Sequence, residues 1–259
     1  MDGQLMLVLA VAVGAALASP LGGVVAILLK PTTLLLSVCV GYAGGVLMGA
    51  FAFEMMPKAL EQSSILTVAA GFIVGFALVY ALDFYVNRGK MAGPKASQKK
   101  HVERFHERRT PRGSKVTVLA GATGVEELIE GLTIGVSSAI DPTVAIVTGL
   151  AIVIDNIAEA LSIGELQREE SKEGYGWPIL KWTGLIGISL FSSAMAGWFF
   201  FRGLPQGVLG FLLAGGAGGM FYLTVTDLIP EAEGHQYQES AAISVAAGFL
   251  TIFVLSEII

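Results

Sequence analysis

Apolar stretches of membrane length alternate with short polar breaks along this chain. Reading Pro, Gly and charged residues as punctuation predicts eight helices, near 4–29, 33–57, 63–87, 115–138, 142–165, 178–201, 206–230 and 239–258. A helix rises about 1.5 Å per residue, so some 20 apolar residues cross a hydrocarbon core of about 30 Å. Pro31, Pro142 and Pro205 fall at helix starts, where a missing backbone N–H does no harm. The first stretch has no basic leader, Asp2 being its only early charge, and it is long. It is read as a transmembrane helix rather than a signal peptide. Connections are short except for residues 88–114, a polar and basic loop.

Composition agrees with the pattern. Of 259 residues, 54% are hydrophobic and 14% charged, against about 25% charged in soluble domains. The expected fold is therefore an all-α integral membrane protein of eight transmembrane helices, with residues 1–259 forming one transmembrane transport domain. Ten of the sixteen Lys and Arg lie between Arg88 and Lys115. Lys30, Arg168, Lys172 and Lys181 fall on the same side, and only Lys58 and Arg202 fall opposite. The positive-inside rule then puts both termini outside and residues 88–114 in the cytoplasm of a multi-pass protein of the plasma (cell inner) membrane. A basic segment beside a bilayer fits topology and anionic lipid, so no nucleic-acid partner is expected. Cys39, the single cysteine, is expected to be a small buried thiol. No nucleophile–base pair or phosphate loop suggests an enzyme.

The candidate chemistry sits inside two of the apolar segments. Helix four carries Glu126-Glu127-Leu128-Ile129-Glu130-Gly131, and helix five carries Asp155-Asn156-Ile157-Ala158-Glu159-Ala160. A carboxylate at the bilayer centre costs about 2.5–3.5 kcal/mol on insertion scales. Residues four apart share a helix face, so Glu126 points with Glu130 and Asp155 with Glu159. Glu127 and Asn156 lie close beside them. No basic residue lies between Lys115 and Arg168. Five carboxylates cannot all stay ionised in a dry site, so cations or protons must neutralise them. An all-oxygen ligand set suits hard or borderline divalent cations such as Mg, Ca, Mn or Fe(II).

A second internal similarity is more distant. Gly44-Gly45-Val46 through Glu54-Met55-Met56-Pro57-Lys58-Ala59 aligns without a gap with Ala217-Gly218-Gly219 through Asp227-Leu228-Ile229-Pro230-Glu231-Ala232. Helices two and seven run in opposite directions in the expected topology, as do four and five. Two matching pairs in mirror order point to an inverted repeat, common among transporters whose sites lie at the repeat interface. Glu54 and Asp227, each three residues before a proline, are candidate entrance and exit acids. His235, following Glu231 and Glu233, is a further exit candidate.

These motifs resemble the ZIP family of divalent metal transporters, in its prokaryotic branch. The resemblance covers nearly the whole chain: eight helices, both termini outside, and a cytoplasmic loop between helices three and four. The family's helix-four and helix-five motif is approximately His-Asn-x-Pro-Glu-Gly. Here acids, Glu126 and Asp155, stand at the histidine positions, and Ile129 and Ala158 at the prolines. The resemblance implies an intramembrane metal site. Glu126, Glu130, Asp155 and Glu159 would be its principal ligands, with Glu130 and Glu159 bridging and Glu127 and Asn156 serving a second metal. It also implies transport of Zn, Fe or Mn toward the cytoplasm, an elevator-like motion of one helix group and a homodimer. Helix six reads Thr183-Gly184-Leu185-Ile186-Gly187-Ile188, without the glutamate of many relatives, which weakens the second metal position.

The expected function is carriage of a divalent cation (Zn, Fe(II) or Mn), with no other cofactor. The lost histidines shift the expected preference from Zn toward Mn or Fe(II). Two alternatives stand beside it: a non-transporting relative that senses or binds metal, and a proton-coupled carrier of an organic cation.

Overall fold

A computed structural model describes residues 3–86, 115–171, 173–234 and 237–258. The loop 88–114, with its expected cytoplasmic placement, and His235 lie outside the described residues. All regular structure among the described residues is helical. We number the helices α1 (Gly3–Leu29), α2 (Thr33–Gln62), α3 (Ile65–Val86), α4 (Lys115–Ile140), α5 (Pro142–Glu170), α6 (Gly176–Phe201), α7 (Gln206–Gly234) and α8 (Gln238–Ile258). All but α4 contain a stretch long and apolar enough to cross a membrane. At 26 residues α4 is long enough, but Glu126, Glu127 and Glu130 interrupt its apolar run. This is a multi-pass membrane architecture.

Local chemistry sets the helix starts. The Thr32 hydroxyl accepts from Leu35 N–H and caps α2. Asp141 accepts from Thr143 N–H at 2.8 Å and caps α5, with Pro142 in the first turn. Each cap satisfies an amide that the helix itself leaves without a partner.

Two helix ends differ from the sequence expectation. Pro57 and Pro230 were expected to terminate helices two and seven, yet α2 runs to Gln62 and α7 to Gly234. The reason is a π turn just ahead of each proline, over Ala50–Met55 and Thr224–Leu228. Met56 N–H reaches back five residues to Phe51 O, and Ile229 N–H to Thr224 O. Such widening relieves the clash between a proline ring and the carbonyl four residues earlier. Glu54 and Asp227 both sit inside these π turns.

Small residues bring the helices together in register. Along α1 and α5, Val11 meets Gly149, Gly22 meets Ala160, and Ala26 meets Gly164, so these helices run parallel. Helices α4 and α6 also run parallel, with Gly131 against Leu190 O and Gly135 against Trp198 N. Helix α2 lies parallel to α8 (Gly45 on Val245 O, Gly49 on Ile252), and α3 parallel to α7 (Gly71 on Phe211 O, Gly218 on Phe72 O). In membranes such small-residue contacts allow backbones close approach. By contrast α2 and α7 run antiparallel: Ser37 Oγ donates to Ala232 O at 2.7 Å, and Phe51 packs on Phe221 with ring centroids 5.4 Å apart.

The helices thus form two groups, α1/α4/α5/α6 and α2/α3/α7/α8, which meet where α2 packs on α5 and α4 on α7. One apolar core, including Ala12, Val40, Ile134, Val147, Leu190, Leu213 and Ile252, runs through both. Peripheral α3 and α8 bury only 22% of their apolar windows, whereas α2 and α5 bury 67%. The helices that carry or face the acids are therefore the central ones.

Candidate functional site

Helices α4 and α5 cross antiparallel at the middle of the bundle. The Val116 N–H of α4 donates to Glu170 Oε1 of α5 at 3.3 Å, fixing one end of the register. Further along, Glu126 faces Glu159, Glu127 faces Asn156, and Glu130 faces Asp155. All six residues singled out in the sequence are thus brought together. Five of them are at most 4% exposed, and Glu159 is half-buried.

The ligand potential of this cluster is largely unused. Glu126 Oε2, both carboxylate oxygens of Glu127, Asp155 Oδ1 and Asn156 Oδ1 are buried without a hydrogen-bond partner among the described residues. Asn156 Nδ2 donates to Ala15 O of α1 at 3.2 Å, which holds the amide with its oxygen otherwise free. A buried carboxylate that lacks a partner is costly in a dry interior, and a bound cation removes that cost. The acids face one another in pairs. Among the described residues no three His, Cys, Asp or Glu side chains stand ready-made around a common metal position.

Backbone contacts explain why the acids stay close. The Ser193 hydroxyl of α6 donates to Glu127 O at 3.0 Å, and Ser189 to Gly124 O at 3.1 Å, pinning α4 from behind. At Gly187 of α6 a Cβ would collide with Ala16 O of α1. This position therefore has no room for any side chain. In its place α1 closes on α6.

The two candidate entrance and exit acids separate. Because α2 and α7 are antiparallel, Glu54 and Asp227 lie at different depths. Asp227 acts electrostatically on Glu126, and so does Glu231 one turn further on. Glu54 instead neighbours Asp141 and Lys58. There Lys58 Nζ bridges to Asp141 and Glu61, both at 2.8 Å, tying α2 to the α4–α5 connection. Partial burial pushes the Asp141 carboxyl up, but the Lys58 hydrogen bond and the Thr143 amide outweigh it and hold it below its ordinary range.

Residues outside the original motifs join the site. Glu231 belongs to the α2/α7 similarity but carries no ligand signal in the sequence; in the structure its charge acts on Glu126 and Asp155. Ser19 of α1 was missed. It lies one turn from Ala15 and one turn from Gly22, on the face that meets α5, and its hydroxyl is buried and unpartnered. Nothing local in the sequence marks it. Asp83 belongs elsewhere, accepting from Tyr222 OH at 2.7 Å between α3 and α7.

No family model matches this chain, and no curated protein matches it significantly.

Proposed function

We propose that this protein carries divalent metal cations across a membrane through the α4–α5 acid cluster. The observation that carries this reading is the pairing of Glu126 with Glu159 and Glu130 with Asp155 at the centre of the bundle, with buried oxygens left unpartnered. A purely structural role would leave that cost unanswered. A cation neutralises the acids and takes up their lone pairs at once.

Four further observations support a carrier over a static binder, and with it the ZIP-like architecture and its inverted pseudo-symmetry. The α1–α5 contact has its counterpart in α6–α4, and α2–α8 in α7–α3, each pair parallel. The π turns occupy matching positions in α2 and α7. The helix directions fit eight crossings, with both termini outside and residues 88–114 inside. Acidic side chains also flank the cluster on both sides, Glu54 toward one end and Asp227 with Glu231 toward the other. Cations would enter from the Glu54 end and leave toward the cytoplasm past Asp227. All-oxygen ligation favours Mn(II) or Fe(II) over Zn.

The test is uptake of Mn(II), Fe(II) and Zn into proteoliposomes containing the purified full chain. Wild-type protein should take up Mn(II), and Glu130→Ala with Glu159→Ala should reduce uptake to the rate of empty vesicles. Unchanged uptake in the double variant would sink the proposal. Metal binding without flux would mean a sensor or metal-binding protein. Uptake of an organic cation with no competition by divalent metals would mean a carrier of another class.

A further inference from the structure

The buried hydroxyls of this bundle divide into two kinds. Most donate back to the carbonyl one turn earlier: Thr133 to Ile129 O, Ser138 to Ile134 O, Ser162 to Ala158 O, Thr183 to Ile179 O and Thr224 to Met220 O. That is the ordinary way to satisfy a hydroxyl on a helix in an apolar setting. Besides Ser19 of α1, Ser137 and Thr148 do not follow it. Both are fully buried at 0% exposure, and neither hydroxyl has a partner among the described residues. A buried hydroxyl without a partner has given up its bonds to water and gained none in exchange.

Their positions are not scattered. Ser137 lies seven residues after Glu130 on α4, and Thr148 lies seven before Asp155 on α5. Seven residues are two helical turns, about 10.5 Å, and return to nearly the same face. Since Glu130 faces Asp155 across antiparallel helices, the same register sets Ser137 opposite Thr148. One turn beyond Ser137 is Asp141, held by Lys58 at the Glu54 end of the bundle. The unpartnered hydroxyls therefore stand between that end and the acids, on the faces that the acids themselves use.

We propose that Ser137 and Thr148 form a hydroxyl step through which the divalent cation passes between the Glu54–Asp141 end and the acid cluster. This rests on the carrier reading above. Two neutral oxygens replace part of the cation's water shell without adding charge. They hold the ion less tightly than the carboxylates do, as a transit position requires. The acids set equilibrium affinity, and the hydroxyls set the rate at which ions reach them.

The test compares the full-length wild type with Ser137→Ala plus Thr148→Val, and with a variant that keeps both hydroxyls, Ser137→Thr plus Thr148→Ser. Mn(II) is the probe, with binding measured by calorimetry in detergent and uptake in proteoliposomes. The hydroxyl-free variant should bind Mn(II) within about twofold of wild type while its initial uptake falls about tenfold. The hydroxyl-retaining variant should keep at least about half of wild-type uptake. Equal uptake with and without hydroxyls overturns the step, and so does equal slowing in both double variants, which would point to packing. A wild type that binds Mn(II) but moves none overturns the carrier reading and the step with it. A wild type that moves Mn(II) beside an unimpaired hydroxyl-free variant overturns the step alone.

Discussion

The proline-proximal π turns of α2 and α7 have the same backbone and different charges. Each holds an acid, Glu54 or Asp227, and each is followed by a proline. One residue after the proline the copies part: α2 has Lys58 and α7 has Glu231. Lys58 closes its end with an ion pair to Asp141 across the two helix groups. Glu231 instead adds negative charge beside Glu126 and Asp155. The two π turns thus share a packing device and differ in the electrostatics around them. One end is latched by a cation belonging to the protein, and the other extends the acid field of the site.

The packing half of that comparison can be broken first, because its expected effect is larger. Gly45 and Gly218 are equivalent in the α2/α7 alignment, and each presses on a backbone carbonyl of a peripheral helix, Val245 O or Phe72 O. A backbone carbonyl cannot swing aside as a side chain can. Gly45→Val and Gly218→Val should therefore each destabilise the protein by about 1–3 kcal/mol. Thermal unfolding in detergent checks this. The scaffolds are equivalent if the two losses match. A large loss at one glycine and none at the other would break the equivalence.

The charged half has a smaller effect and a pH signature. Lys58→Gln should cost at most about 1 kcal/mol near neutral pH, since the pair is partly exposed to solvent. Asp141 is held below its ordinary value in the folded protein. Its contribution is therefore complete above the unfolded carboxyl's range and fades as pH falls through the lower, folded value. The stability difference between wild type and Lys58→Gln should be level from neutral pH down to about pH 4 and shrink below it. A difference that instead vanished near pH 6 would show that another group controls this end.

Much of this was legible in the chain, for identifiable reasons. Helix positions follow from apolar length and from caps such as Asp141-Pro142. The meeting of Glu126, Glu130, Asp155 and Glu159 follows from four-residue spacing on consecutive helices. What could not be read required three-dimensional contacts. Pro57 and Pro230 look like helix ends until a π turn absorbs them. Gly187 looks like a missing ligand, whereas its backbone is packed against Ala16. Ser137 and Thr148 look like any membrane-helix hydroxyls. Only the absence of the back-bond that the neighbouring Ser138 makes to Ile134 O sets them apart.

The central claim is that the paired carboxylates of α4 and α5 hold the transported ion. Crystals of the full chain grown with Mn(II), and measured at its anomalous edge, test it most directly. The account predicts an anomalous peak between α4 and α5 at the level of Glu126, Glu130, Asp155 and Glu159. A peak confined to other residues, or none between these helices at saturating Mn(II), would contradict it.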